Sequence, residues 1–201
     1  MRVPTQLERS SATREKTISA TIECVVEYGY AGATIAAIAQ RAGLSRGAVS
    51  HQYPDKFSLV VDVVDEVARR QTAKTLALLV DAPPGRARIE AGLDELWKAF
   101  KGNSYITALE FYAACRTDDE LRPRILRFEA EITGVLRTVV HGTVGPTHDP
   151  ELLDLRADVV INTLRGLALL RSTGADPDRI EAIWGQARAD AVEGFLALTT
   201  Q

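Results

Sequence analysis

Residues Ala33–Lys56 read ATIAAIAQRAGLSRGAVSHQYPDK, and this stretch decides the fold. It reads as two short helices joined by a tight turn. Thr34 can cap the first helix, because its hydroxyl accepts from free amides of the opening turn. Ile35, Ile38, Ala39 and Ala42 recur at helical spacing and give that helix one apolar face. Gly43 follows, where a helix ends most easily in a left-handed conformation. Ser45 caps the second helix, and Leu44 and Val49 stand at the spacing of a hydrophobic staple. Pro54 disfavours helix at Tyr53, which limits the second helix to about two turns. A helix that short must be held by packing.

The composition of the second helix points outward. Arg46, Gly47, Ala48, Ser50, His51 and Gln52 are small or polar and fit a core badly. Val49 and Tyr53, four apart, can anchor an inner face. The other face is slim at Gly47 and Ala48 and carries hydrogen-bonding groups around them. A helix of this kind fits the major groove of DNA, which admits one helix and offers acceptors to such side chains. The bare pattern also describes a surface helix pair in any all-helical protein.

More residues carry the reading further. Tyr28-Gly29-Tyr30, Thr34, Ile38-Ala39, Ala42-Gly43-Leu44-Ser45, Arg46-Gly47-Ala48-Val49 and Tyr53-Pro54-Asp55-Lys56 form a dense set. On them, from about Thr13 to Val64, the chain resembles the DNA-binding domain of the TetR family of transcriptional regulators. The resemblance implies a homodimer that binds a partly palindromic double-stranded DNA operator and answers to a small-molecule effector. It implies that Thr34, Tyr53 and Lys56 hold phosphates, with Arg46, Ala48 and Ser50 facing base edges and His51 touching either. Ser45 and Gly47 complete the expected DNA-binding set. The chain departs from the family where Ser50 stands in place of a frequent tyrosine and Gln52 in place of histidine. Ser50 is too short to make a tyrosine's phosphate contact.

Composition agrees with a regulator of two parts. The 201 residues, 46% hydrophobic, suffice for a substantial core, as one domain or as a small and a larger one. Net charge is −3, yet residues 1–56 carry seven basic and five acidic groups, which leaves −5 on the remainder. A mildly basic head on an acidic body suits a DNA reader that gains affinity by dimerising. The expected division is a DNA-binding domain over residues 1–56 and a helical ligand-binding and dimerisation domain over 57–201. No run of about 18 uncharged apolar residues exists to span a membrane. The first residues lack the apolar stretch of a secretory signal, so a cytoplasmic location is expected. Cys24 and Cys115 lie far apart and read as reduced, buried thiols.

The rest of the chain is helical in pattern, with no strand signal. Residues 1–11 read as a polar tail, and Thr13–Tyr28 as a first helix with Ile18, Ile22, Val25 and Val26 as its stripe. A long helix runs from Lys56 to about Val80, and others span Arg86–Lys101, Tyr105–Arg116 and Glu120–His141. After a loop over Gly142–Asp149, the last two helices start at Pro150 and Pro177, proline being favoured in a first turn. The expectation is an all-α protein of about nine helices. The last two are apolar on more than one side. A stripe left exposed would be too large for a monomer, and pairing two chains through these helices gives a four-helix bundle. Leu164, Leu167, Ile183, Trp184, Ala187, Ala191 and Phe195 are the dimerisation candidates, in keeping with the resemblance.

Trp97, Phe100, Tyr105, Phe111, Tyr112, Cys115 and Phe128 are the candidate lining of an effector pocket. Tyr105 and Tyr112 lead, because a buried phenol needs a polar partner and a ligand can supply one. The acidic body leans toward a neutral or cationic ligand. No catalytic constellation, cofactor motif or convincing metal set occurs, and His141 and His148 with Asp149 or Glu151 lie at a helix end and loop where such groups commonly bind nothing. The reading is a ligand-responsive transcriptional regulator, in the sense of a repressor, and not an enzyme. The alternative is a helical small-molecule-binding or scaffold protein whose helix-turn-helix no longer reads DNA.

Overall fold

The computed structural model describes residues 6–81, 85–119 and 121–199, and all its regular elements are α-helices. They are α1 (Gln6–Gly32), α2 (Ile35–Ala42), α3 (Arg46–Gln52), α4 (Lys56–Asp81), α5 (Arg86–Phe100), α6 (Asn103–Cys115), α7 (Arg122–Val144), α8 (Pro150–Ser172) and α9 (Pro177–Leu196). The chain forms two compact units. One joins Met1–Val67 with Thr107–Ile125, and the other joins Ala68–Ile106 with Leu126–Gln201. α4, α6 and α7 each contribute residues to both.

In the first unit α1 starts at Gln6, earlier than the polar composition of residues 1–11 suggests. The stretch from Gln6 to Arg14 contains no glycine or proline, so nothing there stops a helix. Residues 1–5 lie outside the described set. At Gly29 the backbone turns to φ 68°, a conformation that favours glycine, and α1 kinks before its final residues. The buried stripe of α1 is Thr17, Ile18, Thr21, Cys24 and Val25, whereas Val26 is exposed and Ile22 half-buried. Thr17 and Thr21 can be buried because each hydroxyl donates to the carbonyl four residues back, at 2.8 and 2.7 Å. Cys24 is buried and Cys115 half-buried, and neither forms a disulfide. Ile38, Ala39, Val49, Tyr53, Leu59, Val60, Val63 and Phe111 complete this core.

The second unit is built on α5, the later part of α7, α8 and α9. Asp149 and Asp176 cap the last two helices, accepting from Leu152 N at 2.9 Å and Asp178 N at 3.0 Å, with Pro150 and Pro177 following. α7 runs through Gly142 to Val144, so the expected loop shortens to 145–149, and Gly145 at φ 86° ends the helix. Trp97 stacks on Trp184 with ring centroids 5.4 Å apart, and its indole N–H donates to Glu181 at 3.0 Å. Burial pushes the Glu181 carboxyl up, but the Trp97 and Lys101 hydrogen bonds prevail and hold it below the usual glutamate value. This contribution to stability is complete above that usual value and is lost as pH falls through the lowered one.

Four expected dimerisation residues are placed otherwise. Leu164, Leu167, Trp184 and Phe195 are all buried within the core of one chain. Sequence periodicity does not say which of two apolar stripes faces inward. The stripe left open carries Leu155, Val159, Leu169 and Leu170 on α8 and Ile183 on α9, between 36 and 60% exposed, with Ala187 and Ala191 half-buried beside the core. We expect Leu164→Ala to lower the unfolding free energy by about 2–5 kcal/mol, through lost burial and a residual cavity. Denaturant titration should show this shift unchanged across protein concentrations, as befits a residue inside one chain.

Candidate nucleic-acid interface

α2 and α3 are set by local chemistry. The Thr34 hydroxyl oxygen accepts from Ala37 N at 3.2 Å, and the Ser45 oxygen accepts from Ala48 N at 3.1 Å. Each hydroxyl proton therefore remains available to an outside acceptor. Gly43 adopts φ 66°, and the next amide, Leu44 N, reaches back to the Ala39 carbonyl at 2.9 Å. This satisfies the last carbonyls of α2 and turns the chain in one residue. α3 then runs only to Gln52, and Tyr53 before Pro54 is extended at φ −127°.

One face of α3 is spent on packing and the other is open. Val49 is wholly buried and Tyr53 is 5% exposed. Arg46, Gly47, Ala48, Ser50 and His51 are exposed, and Gln52 is half-buried. Thr34 and Ser45 are exposed at the starts of α2 and α3. A methyl group built on Gly47 would meet only the Ser45 oxygen, at 3.9 Å. Nothing inside the chain requires a glycine there.

Tyr53 and Lys56, expected on phosphates, are engaged inward. The Tyr53 hydroxyl donates to Asp62 on α4, and burial followed by that bond raises its pKa well above the tyrosine range. Asp62 also receives Arg14 of α1, whose Nε lies 2.9 Å from one oxygen and whose Nη1 reaches buried Glu66 at 2.9 Å. Lys56 donates to the Tyr30 carbonyl, and its ammonium sits 3.8 Å from the centre of the Tyr30 ring. Burial lowers its pKa. Tyr30 is fixed by α6 of the same unit: its amide donates to Glu110 at 3.0 Å and Phe111 meets its ring edge-on at 5.7 Å. At the start of α4, Asp55 accepts from Ser58 N at 2.6 Å.

Arg14, Asp62, Glu66 and Glu110 were not singled out in the sequence, although two carry a legible signal. Asp62 and Glu66 stand four apart on a helix whose neighbours Leu59, Val60 and Val63 are buried. A carboxylate on such a face demands a cation.

The candidate pocket residues divide between the units. Trp97, Phe100 and Tyr105 belong to the second, where Trp97 is taken up by the Trp184 stack and Phe100 packs on Tyr105 at 4.4 Å. Phe111, Tyr112 and Cys115 belong to the first. There Phe111 is buried against Tyr30, and the Cys115 thiol donates to the Tyr112 carbonyl at 3.1 Å. The side chain of Phe128 lies outside the described set. His141 faces Asp154 at 2.7 Å, and among the described residues no group of three or more His, Cys, Asp or Glu side chains forms.

Known proteins share this organisation. The profile of the family described as bacterial regulatory proteins, tetR family, matches residues 18–63. The HTH-type transcriptional regulator CymR of Pseudomonas putida is 30% identical over 184 residues, covering 89% of each chain. A TetR transcription regulator from Haloarcula marismortui superposes with a TM-score of 0.72 at 22% identity, over 94% of this chain and all of that one. The Bacillus subtilis transcriptional regulator FadR, solved in complex with stearoyl-CoA, superposes at 0.67 and 15% identity, over 90% and 98%.

Two substitutions separate packing from recognition. Gly47→Ala should hold or raise thermal stability, by up to about 1 kcal/mol from helix propensity, while weakening DNA binding if the backbone of α3 lies close to its target. Tyr53→Phe should lower stability by roughly 1.5–3 kcal/mol, the worth of a hydrogen bond to a charged group. It should leave the salt dependence of DNA binding unchanged. Calorimetry and anisotropy titration on the same samples check both.

Proposed function

The chain belongs to the TetR family of bacterial transcriptional regulators, and from that premise we propose that it is a ligand-responsive repressor acting as a homodimer on a partly palindromic operator. The observation that carries this reading is the open face of α3, small and polar, next to two helix starts whose hydroxyl protons are uncommitted. In this reading residues 1–56 are the DNA-binding domain and 57–201 the ligand-binding and dimerisation domain. Each α3 of the dimer enters one of two major-groove segments about 34–36 Å apart.

Arg46, exposed and without a hydrogen bond or ion pair among the described residues, pairs with a guanine edge. Ala48 meets a thymine methyl, and Ser50 and His51 extend the contact. Thr34 and Ser45 hold phosphates through hydroxyls and helix-start amides. Lys56 joins them by exchanging the Tyr30 carbonyl for a phosphate oxygen, an exchange its charge favours. The dimer forms on the open stripe of α8 and α9, with Leu155, Val159, Leu169, Leu170 and Ile183 at its centre. An exposed apolar stripe of that length on two adjacent helices is what a two-fold pairing covers.

A ligand releases the DNA only by binding the DNA-incompetent conformation more tightly than the competent one. No catalytic role is assigned to any residue, and the work of the protein is binding. No helix among the described residues is long and apolar enough to cross a membrane, and the reading places the protein with its DNA in the cytoplasm.

The experiment is anisotropy binding to DNA flanking the protein's own gene and to scrambled DNA, over a salt series. The proposal expects a sequence preference and a negative salt slope. Arg46→Ala should cost about 1–3 kcal/mol and relax the preference, while Lys56→Ala should weaken all sequences and flatten the slope by roughly one unit. Equal, weak binding to every DNA tested, including a randomised pool, would refute it. For the dimer, Val159→Asp should yield folded monomers in sedimentation velocity, with helix content retained by circular dichroism.

A further inference from the structure

The second unit holds a polar cluster that is not completed from within. Tyr105 on α6 packs its ring on Phe100, and the residue as a whole is only half-buried. Its hydroxyl oxygen is nevertheless fully buried and has no hydrogen-bond partner. The ring therefore offers reachable apolar surface that ends in a buried polar tip. Arg165 on α8 shows the same pattern: the side chain is 23% exposed, while its Nε is buried and without a partner. The end of that guanidinium is occupied, with one nitrogen paired to Glu129 on α7 and the other 3.4 Å from the Asn162 side-chain oxygen. Burial pushes the Tyr105 hydroxyl up to about 12; the Arg165 charge pulls it down and Glu129 pushes it up, while Arg165 also acts on the phenol oxygen as a donor, from beyond full hydrogen-bond geometry.

Buried polar groups in folded proteins almost always find partners, because an unfilled one has lost its water and gained nothing in exchange. Two unfilled donors on neighbouring side chains from different helices define what is missing. It is an acceptor, since Nε–H can only donate and the phenol donates readily. Its charge is also defined. Glu129 already neutralises Arg165, so no net positive charge remains to offset an anion, and a cation would face the guanidinium.

We propose that Tyr105 and Arg165 are the polar anchor of the effector site, and that the effector is an uncharged molecule with an apolar body and one carbonyl or hydroxyl oxygen. That oxygen takes a hydrogen bond from the Tyr105 hydroxyl and another from Arg165 Nε, and the body lies along Phe100 and the Tyr105 ring. Glu129 is a positioning residue that fixes the guanidinium. The proposal rests on the ligand-responsive reading above and adds to it a chemical class and an arginine.

The test uses the full-length protein and four probes of matched size: acetophenone, benzoate, benzylammonium and ethylbenzene. Binding is read by thermal shift and by the fluorescence of Trp97 and Trp184. Acetophenone should bind most tightly, and its Kd should rise about tenfold in Tyr105→Phe and again in Arg165→Lys, the loss of one hydrogen bond each. Arg165→Lys keeps the charge facing Glu129 and so protects the fold. A second measurement needs no probe. Because the Tyr105 hydroxyl proton has no acceptor within hydrogen-bond distance, Tyr105→Phe should leave the melting temperature of the free protein unchanged or raise it.

A melting temperature lowered by several degrees in Tyr105→Phe would overturn the proposal. So would tightest binding by benzoate, benzylammonium or ethylbenzene, binding of acetophenone indifferent to both substitutions, or binding of no probe by the wild type. DNA release is scored separately. If acetophenone binds through the anchor but leaves DNA affinity unchanged, the anchor stands and the ligand-responsive reading fails. If a probe releases DNA from wild type and variants alike, that reading stands and the anchor fails.

Discussion

The carboxylate of Asp62 is the point on which the DNA-binding unit depends. It accepts from the Tyr53 hydroxyl at the end of α3 and from the Arg14 guanidinium on α1, while itself belonging to α4. A helix of seven residues has too few internal hydrogen bonds to persist alone. Its orientation is therefore imposed from outside, by Val49 in the apolar core and by this ion at the other end. Arg14 in turn spans Asp62 and the buried Glu66. Glu66 is the buried member, and its charge depends most on the Arg14 guanidinium. The exposed face of α3 is thus aimed by a network that touches none of its exposed side chains.

Most of the architecture was legible because it follows from local rules. The caps at Thr34 and Ser45, the left-handed turn at Gly43, the prolines that open α8 and α9 and the stop before Pro54 all act within a few residues of their cause. What periodicity could not decide was direction. Val26 and Val25 look alike in a helical pattern, yet one is exposed and the other buried. Leu164 and Leu155 differ in the same way, and so the interior of one chain was read as the contact between two. The start of α1 at Gln6 departs from the expected tail for another reason: the residues are polar but have good helix propensity, and no glycine or proline interrupts them.

The candidate site was legible in its outline and less so in its commitments. The exposed set from Arg46 to His51 follows from size and polarity alone. That Tyr53 and Lys56 already have partners depends on contacts between residues distant in the chain, such as Lys56 with Tyr30, and no spacing rule reports those. Lys56 shows how the two kinds of information combine. Its ammonium rests on a carbonyl and a ring that α6 residues Glu110 and Phe111 hold in place. The ammonium proposed for DNA is also the group that ties the start of α4 to the end of α1.

The freedom of Gly47 and its exposed neighbours has a consequence for how such a protein changes over time. Stability resides in Val49, Tyr53 and the ions behind them, and the outward positions of α3 bear almost none of it. Substitutions at those positions meet no packing constraint and cross no stability threshold. A duplicated copy of this gene could drift through many outward faces while every intermediate still folds. The scaffold permits this outward face to be rewritten one residue at a time, and a randomised library confined to these few codons would consist largely of folded proteins.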